Sequence, residues 1–311
     1  MHFFDLHCDT LYRALIEGKS LDDGDLDVSF KKMCSLNLYI GCFAVWIPDT
    51  FRGGKAMKLF DDCVNLLEKS VSKKSYNISF LKNRNDFKKV KRAGSGQGII
   101  LSVEGGAVLG GKIKNVDYLY KKGVRIITLT WNGPCEIGDG IGVKNGGGLT
   151  EFGRKAVSKM EKLNIIIDLS HASEKLFYDV AKITRNPFVL SHSNSRTICS
   201  NPRNITDEQF KVVKARKGLI GVNFCKEFLS GNQDVMFDDV RRHIEHFLEL
   251  GGENNLAFGS DFDGAEILED VKKLPKIKNL YEYFLIKNYN ETLLDKIFFK
   301  NAFEFVFKNM G

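Results

Sequence analysis

The chain has 311 residues, 43% of them hydrophobic, enough for one large buried core or two smaller ones. Its 46 basic and 39 acidic residues leave a formal charge of +7 spread along the whole length; the Lys-rich stretch 82–92 alternates with apolar residues and lacks regularly spaced aromatics, so it reads as a solvated helix face and nucleic acid is excluded as a partner. No apolar run is long enough to span a bilayer, and neither a leader nor a lipid-anchor signal is present, so the expectation is no membrane partner and a cytoplasmic location.

The seven cysteines (Cys8, Cys34, Cys42, Cys63, Cys135, Cys199, Cys225) form no C-x-x-C pair, which disfavours a zinc knuckle or a redox motif and fits a reducing compartment.

Taken in order, short β-prone runs alternate with segments of helical period. The first run starts at His2 and ends in His7-Cys8-Asp9. The stretch 36–47 is a second buried strand, stopped by Pro48, and 55–73 carries Met57, Leu59, Phe60, Val64 and Leu67 at helix spacing. Residues 98–103 form a third strand ending in Glu104-Gly105-Gly106. A helix over 116–122, closed by Gly123, leads into strand four, 124–129. The Gly-rich segment 138–148 reads as a flexible loop without a phosphate-cradle motif, and Thr150 caps the helix after it. Strand five, 165–169, ends in Ser170-His171, and strand six, 188–190, in Ser191-His192. Thr206 to Gln209 has capping-box spacing. Strand seven is 219–224, a helix spans 237–250, strand eight, 256–258, leads into Gly259-Ser260-Asp261, and helices fill 280–310. Eight β/α units imply a parallel (β/α)8 TIM barrel of the α/β class, in one domain over 1–311.

The strand ends carry the chemistry. In a parallel barrel the C-terminal ends open on one face, where active sites of this fold sit. His7 and Asp9 end strand one, two positions apart, and on an extended backbone such side chains share a side. Glu104 ends strand three, His171 and His192 strands five and six, and Asp261 strand eight. Three of the six histidines therefore aim at one volume. Together with the carboxylates they exceed the needs of one tetrahedral zinc and suit two divalent ions bridged by a carboxylate and a hydroxide. Glu104, followed by two glycines that permit close backbone approach, is the candidate bridge. Asp261 is placed to hold the hydroxide and pass its proton to a leaving amine.

The motifs resemble those of the membrane dipeptidase (renal dipeptidase) family of zinc metallopeptidases, within the amidohydrolase-like barrels. The matching pieces are Asp5-Leu6-His7-Cys8-Asp9, Ser102-Val103-Glu104-Gly105-Gly106, Ile127-Thr128-Leu129-Thr130, Gly148-Leu149-Thr150-Glu151-Phe152-Gly153, Ile167-Asp168-Leu169-Ser170-His171, Ser191-His192-Ser193, Arg203-Asn204 and Gly259-Ser260-Asp261-Phe262-Asp263-Gly264, in family order. The resemblance implies two zinc ions, one held by His7 and Asp9, the other by His171 and His192, with Glu104 between them. It implies a small dipeptide as substrate, its free carboxylate gripped by Arg203 and its proton handled by Asp261. A planar guanidinium fork suits such a clamp. The oligomeric state is left open, a homodimer included.

Two departures from the family pattern bear on catalysis. Where the family usually continues Leu-Thr-His, this chain has Leu129-Thr130-Trp131-Asn132. Asn132 is then the candidate amide donor to an oxyanion, and Trp131 a candidate pocket wall. After strand seven, Asn223-Phe224-Cys225-Lys226-Glu227 lacks an expected tyrosine, and Lys226 is the candidate substitute. Hydrolysis of another small amide or lactam, or metal-dependent peptide binding without cleavage, are the rival readings. His243 and His246 mimic a metal pair but sit on a helix expected outside the barrel, and Cys8 points away from its neighbours. Asp168 is the candidate support for a ligating histidine.

Overall fold

The computed structural model describes residues 1–73, 76–232 and 234–311. Runs rich in Val, Ile, Leu and Phe, buried on both faces, are what a parallel sheet covered by helices requires. They form β1 (His2–Cys8), β2 (Leu38–Trp46), β3 (Ile78–Phe80), β4 (Gly96–Glu104), β5 (Val124–Thr128), β6 (Ile166–Asp168), β7 (Val189–Leu190), β8 (Leu219–Val222) and β9 (Leu256–Phe258). Eight of these close into a ring in the order β1-β2-β4-β5-β6-β7-β8-β9, and β9 returns to β1 where Phe258 meets Asp5. The fold is a closed parallel (β/α)8 barrel. The remaining strand, β3, lies beside the first half of β4 and has no counterpart among the expected runs. Three half-buried residues are too few for apolar periodicity to register.

Each barrel strand sends residues into the interior, among them Phe4, Leu6, Ile40, Ile100, Ile126, Ile166, Val189, Leu219 and Ala257. Phe303, Val306 and Met310 of the C-terminal segment join that cluster and close the end of the barrel opposite the strand C-termini. The interior is thus a packed floor, and open space is confined to the other rim. Outside, a larger apolar layer glues helices to the strands; Phe60, Val64 and Leu67 of the helix Gly53–Ser72 supply one such stripe.

Local signals set the helix starts. Thr150 accepts a hydrogen bond from Gly153 N at 2.9 Å, and Thr206 and Gln209 make a reciprocal capping box. All seven cysteines are free thiols. No helix among the described residues is long and apolar enough to cross a membrane.

Candidate active site

His7 and Asp9 are brought together by a bulge, and not by the flat i, i+2 geometry of an extended strand. Pairing with β2 advances three residues on β1, Asp5 to Cys8, against two on β2, Gly41 to Phe43. The extra residue re-aims the strand end. β1 stops at Cys8, and Asp9, at φ −95° and ψ 12°, turns into the helix Thr10–Ile16. The result is a His7 Nε2 to Asp9 Oδ2 distance of 3.2 Å.

Glu104, buried at the end of β4, divides its two oxygens. Oε2 lies 3.5 Å from His7 Nε2, while Oε1 lies 2.8 Å from His171 Nε2 and 3.4 Å from His192 Nε2. Gly105 at φ +112° turns the chain directly after it, and a Cβ on Gly106 would collide with the Leu129 carbonyl, so side chains at neither position are tolerated easily. Asp261 approaches from beyond β9, its Oδ1 3.8 Å from His7 Nε2. Ligand atoms of His7, Glu104 and His192 all lie within 4.8 Å of one another, as do those of His7, Asp9 and Asp261.

Hydrogen bonds fix which imidazole nitrogens carry protons. Asp168, at the end of β6, accepts from Thr128 Oγ1 (2.6 Å), Ser170 Oγ (2.7 Å) and Ser191 Oγ (2.6 Å). Ser191 thereby donates its one hydroxyl hydrogen bond to Asp168 and accepts from His192 Nδ1, 2.7 Å away. His171 Nδ1 faces Asn132 Oδ1 at 2.8 Å, which makes it a donor too. Both Nε2 atoms are left with lone pairs, and they lie 3.0 Å apart beside Glu104 Oε1. Burial, reinforced by the positive charge of Arg203 and His7, holds both imidazoles well below their ordinary pKa and so favours their neutral form. Asp9 Oδ1 is buried without a partner. Two imidazole lone pairs converging on one Glu104 oxygen, with an unpartnered Asp9 oxygen beside them, form a set that a divalent cation would satisfy, and the donor types fit zinc.

The acidic side of the site is equally unbalanced. Burial alone would lower the pKa of His7, but Glu104, Asp9 and Asp261 outweigh it and raise it to about 10. Burial, with Asp9 and Asp261 adding to it, pushes the Glu104 carboxyl well above its usual range; burial also raises Asp261. Asp261 is held at φ +64°, a left-handed conformation that aspartate tolerates, by its N–H on the His7 carbonyl (3.1 Å) and by Asn223 Nδ2 on Oδ2 (2.9 Å). Asp5 ties the same corner: it accepts from Ser260 N (2.8 Å), Ser260 Oγ (2.6 Å) and His7 N (3.3 Å), and burial lifts its pKa to about 6.

Above these groups opens a cleft of about 510 Å³, lined on its floor by Asp9, Glu104, His171 and Asp261 and on its walls by Tyr12, Trp46, Trp131 and Phe228. Asn132 also reaches it, but its amide oxygen is bound to His171. That contact makes Asn132 a support for an imidazole; it uses the amide oxygen and leaves Nδ2, the oxyanion donor expected from the sequence, without a hydrogen bond among the described residues. The Gly-rich segment 138–148, expected as a flexible loop, is pinned over this support. Ile141 N donates to the His171 carbonyl (2.8 Å), Gly142 N donates to the Asn132 carbonyl (2.9 Å), and a Cβ on Gly140 would strike the Trp131 carbonyl.

Arg203 lies just beneath the wall, buried, with Phe228 over its guanidinium at 5.7 Å. Its Nη1 donates to Ser193 Oγ (3.1 Å) and Nη2 to the His192 carbonyl (3.0 Å), while Nε has no partner. Among the described residues no carboxylate lies within ion-pair distance of it. Lys226, by contrast, is no substitute for a substrate-facing tyrosine: it pairs with Glu266 at the surface (2.7 Å), away from the cleft.

Comparison with known proteins decides the family. Residues 1–309 match the family described as "Membrane dipeptidase (Peptidase family M19)". The chain belongs to this family. An uncharacterized Klebsiella pneumoniae protein from the pqqA 5′ region is 32% identical over 216 residues, 65% of this chain and 79% of that protein. The crystal structure of dipeptidase AC, described as a metallo peptidase, superposes with a TM-score of 0.93 at 25% identity, covering 100% of this chain and 99% of the other. A metallo peptidase from Rhodobacter sphaeroides, solved with a phosphinate mimic of the dipeptide L-Ala-D-Ala, gives the same score at 24% identity, with coverage of 100% and 99%.

As a member of the membrane dipeptidase family, the chain is a dipeptidase-type metallopeptidase. Three groups that shape its cleft escaped the sequence reading. Trp46 is the last residue of β2, so the strand-end rule that found the candidate ligands points to it as well. Tyr12 and Phe228 come from short helices just past strand ends, and nothing in their local sequence separates them from packing residues. Asn223, which holds Asp261, was visible only as part of a departing motif.

Proposed function

We propose that this dipeptidase-family chain is a zinc enzyme that hydrolyses the amide bond of small dipeptides. Two ions would be held by His7, Asp9, Glu104, His171 and His192. The observation that carries the reading is the pair of Nε2 lone pairs 3.0 Å apart against one Glu104 oxygen, with the other oxygen turned to His7. What a bound zinc pair supplies is a water ionised near neutral pH and a polarised scissile carbonyl. Glu104 holds both sides of the site in register through separate oxygens. Asn132 and Ser191 keep His171 and His192 in the tautomer with Nε2 free. Asp261, its carboxyl raised by burial and steadied by Asn223, takes up the proton released on attack and returns it to the leaving amine. Arg203 holds the free carboxylate: a buried cation without an anionic partner costs several kcal/mol, and a substrate carboxylate removes that cost. The seven free thiols suit a reducing cytoplasm as the place of action.

The test is metal analysis of the purified protein combined with a panel of D- and L-dipeptides, following free amino groups before and after chelation. The expected result is two equivalents of zinc per chain and cleavage abolished by chelator and restored by zinc. Two bound ions with no cleavage of any dipeptide would replace the hydrolase reading with metal-dependent peptide binding.

A further inference from the structure

We propose that one wall of the cleft is a side-chain pocket that makes the protein selective for dipeptides with a bulky apolar or aromatic amino-terminal residue. The proposal rests on the dipeptidase reading and specifies its substrate class. The wall is a continuous aromatic row. Tyr12 meets Trp46 edge to face, with ring centroids 5.0 Å apart at 86°, and Trp46 meets Trp131 in the same manner at 4.9 Å and 72°. Ile16, one helical turn beyond Tyr12 on the same face, extends the row to the mouth and is 58% exposed. A large apolar side chain left in water at the entrance of the cleft gains by covering, and edge-to-face rows accept a further ring or branched chain with little rearrangement.

The topology says which substrate residue meets this wall. Arg203 is bonded to His192 and Ser193, just past β7, whereas Trp46 ends β2. In the ring order β1-β2-β4-β5-β6-β7-β8-β9, strands β2 and β7 stand opposite each other. A dipeptide with its carboxylate at Arg203 and its amide over Glu104 therefore points its amino-terminal side chain toward Trp46 and Trp131. Trp131 thus supplies apolar surface to the side of the cleft that the amino-terminal residue meets.

The chain has only two tryptophans, and both are in this row. Indole emission consequently reports on the pocket alone. With zinc-loaded protein, kcat/KM for Phe-Ala and Leu-Ala should exceed that for Ala-Ala by roughly tenfold or more, the usual effect of filling an apolar pocket, and should exceed that for Ala-Phe. In Trp131→Ala the Phe-Ala to Ala-Ala ratio should collapse toward one whatever the absolute rates, while zinc content stays at the wild-type level. Equal rates for Phe-Ala and Ala-Ala would overturn the pocket and leave the dipeptidase reading standing; preference for Ala-Phe would overturn the orientation. If no dipeptide is cleaved, the dipeptidase reading falls, and the titration of indole emission still decides the pocket: a shift with Phe-Ala at concentrations where Ala-Ala gives none supports it, and equal or absent shifts with both sink it.

Discussion

Two sets of histidines in this molecule resemble one another in sequence and differ in what their nitrogens face. On the helix Phe237–Glu249, His243 accepts from Ser195 N at Nδ1 (3.0 Å) and donates from Nε2 to the Leu229 carbonyl (2.9 Å); His246 meets Asp207 at 2.8 Å. At the barrel rim, His171 and His192 each have one nitrogen bound to Asn132 or Ser191, and the other is turned on a second imidazole and a carboxylate. Spacing alone does not make a ligand. An imidazole whose second nitrogen faces another imidazole nitrogen and a carboxylate is the stronger candidate, because burying that lone pair without a cation is unfavourable.

The comparison breaks most severely at Glu104, the group that both halves of the rim share. Glu104→Gln keeps the shape but replaces one charged oxygen by an amide. Activity should fall by about a thousandfold or more, and zinc should drop below two equivalents per chain by elemental analysis. Two full equivalents in this variant would refute the bridging role. Next comes Arg203. Arg203→Ala should raise KM by about 10- to 100-fold, the worth of a charged hydrogen bond to substrate, for dipeptides with a free carboxylate, and should barely change it for amidated ones. A uniform loss across both classes would mean that the arginine serves the fold.

Asn132 sharpens the contrast further, since it decides which nitrogen of His171 is free. Asn132→Ala should weaken zinc binding by roughly 10- to 100-fold, as loss of an outer hydrogen bond to a ligand does. Asn132→Asp, which keeps the acceptor, should recover most of it. Zinc affinities measured by chelator competition distinguish this from an oxyanion role, which would lower kcat in both variants and leave metal affinity alone.

How far the sequence foretold these positions follows from what each depends on. His7, Glu104, His171, His192 and Asp261 were legible because strand periodicity locates strand ends and a parallel barrel gathers those ends. The route by which Asp9 arrives was not, because the β1 bulge exists only in the register with β2. That Asn132 also supports His171 was not legible, because nothing local says that its amide oxygen reaches across. Lys226 looked like a substitute for a missing tyrosine until its partner, Glu266, forty residues on, came into view. The Gly-rich segment read as slack chain because its order comes from contacts with residues 131–132 and 171. In each case the signal lost was tertiary, and in each case it concerns orientation and not location.

The smallest effect tests the other side of the comparison, the histidine with two protein partners. Burial lowers the pKa of His243 from 6.5 to about 4 in the folded chain. As pH falls below 6.5 the unfolded chain takes up a proton there and the folded one does not, so acidification favours unfolding. The stability loss accumulates between pH 6.5 and about 4 and stops below that, with a total on the order of 3 kcal/mol. His243→Gln has no such group, so the difference in unfolding free energy between wild type and variant, measured by denaturant titration of zinc-saturated protein, should narrow as pH is lowered through this window. Zinc content should be the same in both, because neither nitrogen of His243 is free to bind. A constant gap across the window would mean that His243 titrates normally in the native state, and that its two hydrogen bonds do not separate it from the rim in the way proposed.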